Sequence, residues 1–182
     1  MIGDSVTSNW PQMSGPNQLA GLEIVNRGQP SDTTARMLSR FHRDVVQLRP
    51  RAVVILGGIN DIRRIPLPSI ERNLKEMARV ANQRGIQVVV ATLPPTGEYH
   101  QGTPALADSG AHDQIRALND WIRDLAVRQH YGLADYHAVL SDERGFYLEG
   151  LTADGVHPSV QGYQRMEPLL CQAMESAVRS AR

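Results

Sequence analysis

Four short stretches of this chain carry side chains that could do chemistry together. Gly3-Asp4-Ser5 opens the sequence and Gly28 follows an apolar run. Asn60-Asp61 follows another such run, and Asp154-Gly155-Val156-His157-Pro158 lies near the end. A serine hydroxyl alone is a poor nucleophile. It needs a base to take its proton and donors to hold the oxyanion that forms on an attacked carbonyl. His157 supplies an imidazole, the side chain whose proton exchange falls nearest neutral pH. Asp154 can reach the other ring nitrogen if the chain turns between the two, and Gly155 permits that turn. Asn60 offers an amide that donates without adding charge. A glycine at position 28 lets its backbone approach a substrate oxygen with no Cβ in the way. Each stretch also has a plainer reading by itself. Gly-Asp-Ser makes ordinary turns, Asn60-Asp61 suits a helix entry, and Asp154-Gly155 suits a turn beside a surface histidine. Asp4 and Asp61 read as turn-holding residues that accept backbone hydrogen bonds, not as catalytic acids.

These residues can act together only if the fold collects them. Residues 22–26 (LEIVN), 52–56 (AVVIL), 87–93 (QVVVATL) and 133–136 (LADY) read as strands, the middle two as buried parallel ones. Only Met1 and Ile2 precede Gly3. The first strand is therefore either very short or begins ahead of this sequence, where an export signal could also lie. Between the strands, helical spacing of Met37, Leu38, Phe41, Val45 and Leu48 predicts a helix capped by Ser31 or Asp32 and ended by Pro50. Leu74, Met77, Ala78 and Ala81 mark a helix capped by Ser69 and stopped at Gly85. Ile115, Leu118, Ile122, Leu125 and Ala126 mark a third, ended near Gly132. The last carries Tyr163, Met166, Leu169, Leu170, Ala173, Met174 and Ala177 on its apolar side. Residues 11–21, 96–111 and 141–155 read as loops. Strands alternating with helices predict a parallel sheet covered on both faces, an α/β/α three-layer sandwich. Ligands in such folds bind beyond the carboxyl ends of the strands, where all four stretches fall. With no repeat or linker, residues 1–182 read as a single domain.

Bulk composition narrows the function. The 182 residues carry 19 basic and 19 acidic side chains, so no charge excess points to nucleic acid or anionic lipid. No apolar run approaches the roughly 20 residues of a membrane span. The single cysteine, Cys171, excludes an internal disulfide and reads as a small helix residue. No metal is expected: His42, His100, His112, His130 and His137 lack partners at ligand spacing. His100 and His112, with Asp108 and Asp113, come nearest to a ligand set, in or beside the 96–111 loop.

Gly3-Asp4-Ser5, Gly28, Gly58-Ile59-Asn60-Asp61 and Asp154-Gly155-Val156-His157-Pro158, in this order and each at a strand end, resemble the four blocks of the SGNH-hydrolase superfamily, the GDSL-type esterases and lipases. The resemblance runs nearly end to end. It implies Ser5 as nucleophile, His157 as base and Asp154 as its orienting acid. It implies an oxyanion hole made by the backbone N–H of Ser5, the backbone N–H of Gly28 and the Asn60 amide. It implies a flavodoxin-like sheet of about five strands in the order 2-1-3-4-5, whose first strand is here truncated. It also implies hydrolysis of carboxylic esters without a cofactor. A short acyl group such as acetyl is expected, on a sugar, lysophospholipid, aryl or alkyl alcohol. Trp10, Ile62 and Pro94 are expected to line the substrate pocket, within walls drawn from 10–15, 62–68, 94–111 and 141–151. Two alternatives stand beside this reading, the first with the same triad. An acyltransferase would replace water in deacylation, and a carbohydrate- or acyl-binding module would lack turnover and predicts a broken constellation. No nucleic-acid partner or integral membrane segment is expected. Oligomeric state and localisation stay open.

Overall fold

Parallel strands form where β-branched and aliphatic runs can be buried on both faces. A computed structural model describes residues 1–10, 23–97 and 109–179. The strands are β1 (Ile2–Gly3), β2 (Arg27–Gly28), β3 (Ala52–Leu56), β4 (Gln87–Ala91) and β5 (Gly132–Ala134). All neighbours pair in parallel, in the order β2-β1-β3-β4-β5. This is the expected order, with the two-residue β1 near the middle of the sheet. β3 and β4 supply most of the buried strand surface, through Val53, Val54, Ile55, Leu56, Val88, Val89 and Val90.

The helices are α1 (Ser5–Ser8), α2 (Thr34–Asp44), α3 (Leu67–Gln83), α4 (Ser109–Gln129), α5 (Tyr136–Leu140) and α6 (Val160–Arg179). α2, α3 and α4 contact one another in series, while α6 packs across β3, β4 and β5 with α5 beside it. The sheet is thus flanked by helices. Met37, Phe41, Ile70, Leu74, Met77, Ile115, Leu118, Tyr163, Met166 and Leu170 bring their apolar faces into one core with the strands.

Several local expectations shift. The second strand is Arg27–Gly28 rather than residues 22–26, of which Leu22 lies outside the described residues. The register explains this: β2 can pair only where β1 offers a partner, and Ile2 sits opposite Arg27. Thr33 caps α2, its Oγ1 accepting from Arg36 N–H, and α2 yields at Asp44 to a short 3₁₀ turn over Val46–Leu48. α3 begins at Leu67 after Pro66, with no side-chain cap from Ser69. Pro68 suits the first turn because it lacks an N–H that would go unpaired there. Tyr136 does not extend β5. It opens α5, capped by Asp135. The expected loops at 11–21 and most of 96–111 lie outside the described residues, as do His100 and Asp108.

Candidate active site

Where β1 ends, Asp4 turns the chain. Its Oδ1 accepts the Val6 N–H at 2.9 Å and caps α1, whose first residue is Ser5. The four-residue helix therefore presents the Ser5 hydroxyl at the carboxyl edge of the sheet. Asp4 Oδ2 is buried and has no hydrogen-bond partner among the described residues. Burial pushes the Asp4 carboxyl up to about 7, and the Val6 hydrogen bond offsets part of that rise.

The far end of the chain returns to the same edge. Thr152 bridges Pro158 in antiparallel fashion, and Ser159 N–H donates to Leu151 O at 2.8 Å. The turn between them is made possible by Gly155, at φ +62°. Inside it, Asp154 Oδ1 accepts the N–H groups of Val156 (2.9 Å) and His157 (2.8 Å). Oδ2 is left to meet the ring at His157 Nδ1, 2.6 Å away. His157 Nε2 lies 2.9 Å from Ser5 Oγ, across 152 residues of sequence. Burial pushes the Asp154 carboxyl up, but the hydrogen bonds from the His157 ring and from two backbone N–H groups outweigh it. The net value is about 2, so this group stays ionised in any ordinary buffer. Hydroxyl, imidazole and carboxylate stand in one line. That arrangement can pass a proton from oxygen to ring while the carboxylate holds the ring's other nitrogen.

Asn60 reaches the same rim from the loop after β3. Asp61 fixes that loop by accepting the Thr34 N–H (2.9 Å) and the Thr34 hydroxyl (3.0 Å) at the start of α2. Asn60 Nδ2 donates one hydrogen to Asp32 O at 2.9 Å, and the amide has a second to offer.

Gly28 departs from the expectation. Its N–H donates to Asn26 Oδ1 at 2.8 Å, and so is not open to a substrate. The cause is strand geometry. Arg27 and Gln29 point their N–H groups at Met1 O (2.8 Å) and Gly3 O (2.9 Å), so the residue between them faces the other way. Glycine is required here for a different reason: an added Cβ would overlap the backbone of Ser8 in α1. Ser31, in the turn beyond Gln29, was not foreseen as a donor. It is exposed and holds φ +62°, a left-handed conformation uncommon for serine. Its neighbour Asp32 accepts from Asn60, so residue 31 is tied next to that amide. Among the described residues, the N–H groups of Ser5 and Ser31 donate to nothing. The sequence signal was the Pro30-Ser31-Asp32 turn that follows β2 across Gln29, with no glycine inside it to draw attention.

The pocket expectations are corrected as well. Trp10 is 1% exposed and packs against the rings of Tyr136 (5.5 Å) and Tyr163 (5.2 Å), so it belongs to the core. Ile62 and Pro94 are also buried. A cavity of about 710 Å³ lies at the amino-terminal end of β1 and β3, lined by Met1, Val25, Ala52, Val53 and Met174 among others. None of Ser5, Ser31, Asn60, Asp154 and His157 lines it; those side chains stand at the opposite rim of the sheet.

Comparison with known proteins identifies the family. Residues 1–165 match the GDSL-like lipase/acylhydrolase family. An acetylxylan esterase of Geobacillus stearothermophilus is 27% identical over 150 residues, which span 79% of this chain and 68% of that one. The crystal structure of a GDSL-like lipase from Bacteroides thetaiotaomicron superimposes with a TM-score of 0.87 at 28% identity, covering 97% of this chain and 86% of that one. The crystal structure of an acetylxylan esterase from Geobacillus stearothermophilus shares the fold, with a TM-score of 0.75 at 18% identity over 95% and 91% of the two chains. With the sheet order, the matched residues and these relatives in agreement, the chain belongs to the GDSL-like lipase/acylhydrolase family of carboxylic ester hydrolases.

Proposed function

We propose that the protein hydrolyses esters of short acyl groups, acetyl foremost, through Ser5, His157 and Asp154 and a covalent acyl-enzyme. The observation that carries this is the relay of 2.9 Å from Ser5 Oγ to His157 Nε2 and 2.6 Å from Nδ1 to Asp154 Oδ2. In the first step the Ser5 O–H proton passes to His157 Nε2 as Oγ bonds the ester carbon. The carbonyl oxygen becomes an oxyanion, held by the N–H groups of Ser5 and Ser31 and by the free hydrogen of Asn60 Nδ2. The C–O bond to the alcohol then breaks, and His157 returns the proton to the departing oxygen. Water repeats the sequence on the acyl-enzyme, freeing the acid and Ser5. Likeness to an acetylxylan esterase supports acetyl as the acyl group and a sugar as the alcohol. A lysophospholipid, aryl or alkyl ester uses the same steps.

Ser5→Ala should lower kcat on p-nitrophenyl acetate by about 10⁴-fold or more, as loss of a relay nucleophile does. Retention of most activity would refute the assignment. A parallel panel of acetyl, butyryl and long-chain esters with acetylated xylo-oligosaccharides reads the substrate class. Faster turnover of long-chain esters than of acetyl esters would overturn the short-acyl reading.

A further inference from the structure

The catalytic acid and base proposed above both sit at the surface: the Asp154 side chain is 54% exposed and the His157 side chain 36%. Water competes there for every hydrogen bond of the pair, so the backbone must do the orienting. All six backbone polar groups of residues 155–157 are engaged. Gly155 O accepts from Gly97 N–H at 2.8 Å, and Val156 O accepts from the Tyr147 hydroxyl at 3.1 Å. The N–H groups of Val156 and His157 donate to Asp154 Oδ1. The two that remain are the first and last of the turn, and one side chain takes both. Thr152 Oγ1 accepts the Gly155 N–H at 2.6 Å and donates its own proton to His157 O at 2.8 Å.

We infer that Thr152 is a positioning residue of the hydrolase, whose hydroxyl clamps both ends of the Asp154–His157 turn and so holds the carboxylate and imidazole in line with Ser5. The hydroxyl uses its one proton and one lone pair on these two contacts. It contacts neither Ser5 nor a reacting atom, so its effect runs through Asp154 and His157. Loss of the hydroxyl unpairs the buried Gly155 N–H and frees the carbonyl of His157 itself. The ring then loses its fixed direction toward Ser5 Oγ. A backbone displacement of about 1 Å at a reacting group costs on the order of 10²-fold in rate.

The inference rests on the Ser5–His157–Asp154 reading, and the test separates the two. Thr152→Val keeps the branched shape and removes the hydroxyl, while Thr152→Ser keeps the hydroxyl. On p-nitrophenyl acetate, Thr152→Val should lower kcat by about 10- to 100-fold with KM within about twofold, and Thr152→Ser should restore kcat to within about threefold of the parent. In an Asp154→Asn background, Thr152→Val should add less than about threefold, because a residue acting through Asp154 loses its leverage there. The downfield imidazole proton of His157 in proton NMR should broaden or move in Thr152→Val and persist in Thr152→Ser. Should the valine variant fail to fold, Thr152→Ala carries the same expectations. Full activity in Thr152→Val, a loss in KM alone, or full additivity with Asp154→Asn would each overturn the inference. With Ser5→Ala inactive, those outcomes would leave the relay standing. Activity in Ser5→Ala would instead remove the relay itself.

Discussion

Two buried titratable side chains outside the proposed relay set opposing pH dependences. His137 is buried with Nε2 unpartnered among the described residues, while Nδ1 lies 3.2 Å from Ser141 Oγ. Burial first, then the nearby Arg123 charge, pulls its imidazole down to about 4, with Asp135 opposing and His112 and Arg116 adding to the drop. The unfolded chain therefore binds more protons than the folded one between about pH 4 and 6.5, and stability from this group rises with pH across that window. Asp4 acts in the other sense. Its carboxyl is raised to about 7, so its contribution falls as pH rises from about 4 to 7. In the parent protein the two partly cancel. His137→Leu, which stays neutral, should remove the rising component. Urea unfolding at pH 4.5 and 6.5 should then show stability falling with pH relative to the parent. An unchanged difference between the two pH values would assign the acid sensitivity to other groups.

At the scale of elements, one arginine joins the two strands and the helix that frame the nucleophile. Arg40 of α2 is buried between Asp32 (2.6 Å) and Asp44 (2.8 Å). It also donates to Arg27 O (2.8 Å) and Gly3 O (3.1 Å), the latter directly before Asp4-Ser5. Its planar fork suits four acceptors fixed in different elements, which a lysine could not meet. Sequence inspection placed Arg40 on an ordinary helix, with nothing to mark it as buried. Arg40→Leu would leave Asp32 as a buried carboxylate without its ion-pair partner and Asp44 with only the exposed Arg43, and should cost about 3–5 kcal/mol in urea unfolding. A cost under about 1 kcal/mol would mean that solvent already reaches these carboxylates.

For the whole molecule, the sheet is thinnest at its middle. β3 pairs with β4 over Ala52–Ile55 but with β1 only at Ile55 and Leu56. The large cavity follows from this, since among the described residues Ala52 and Val53 meet no strand on the β1 side, and Val25 and Leu48 stand exposed at its walls. The Met1 ammonium donates to Val25 O at 2.7 Å, and burial, aided by the Arg27 charge, pulls it down to about 6. Adding four β-branched apolar residues ahead of Met1 should continue β1 into this space. Each side chain fully buried there contributes about 1.5–3 kcal/mol, so the extended chain should melt higher. Equal melting temperatures would show that the cavity does not accept a strand.

The amino-acid sequence by itself determined the alternation of strands and helices, the buried runs of β3 and β4, and the stretches that carry Ser5, Asn60, Asp154 and His157. Those are local matters: hydrophobic period, turn chemistry, and an acid three residues from a histidine across a glycine. Tertiary structure alone decided which way the N–H of Gly28 points, because that depends on which strand lies beside β2 and in what register. It likewise decided that Trp10 fills the core, that Ser31 takes the left-handed turn, and that Thr152 closes the loop around His157. Each of these depends on partners that are distant in the chain or on a backbone angle without a glycine to announce it. The direction of a hydrogen bond is a property of the assembled sheet and loops, and residue spacing does not encode it.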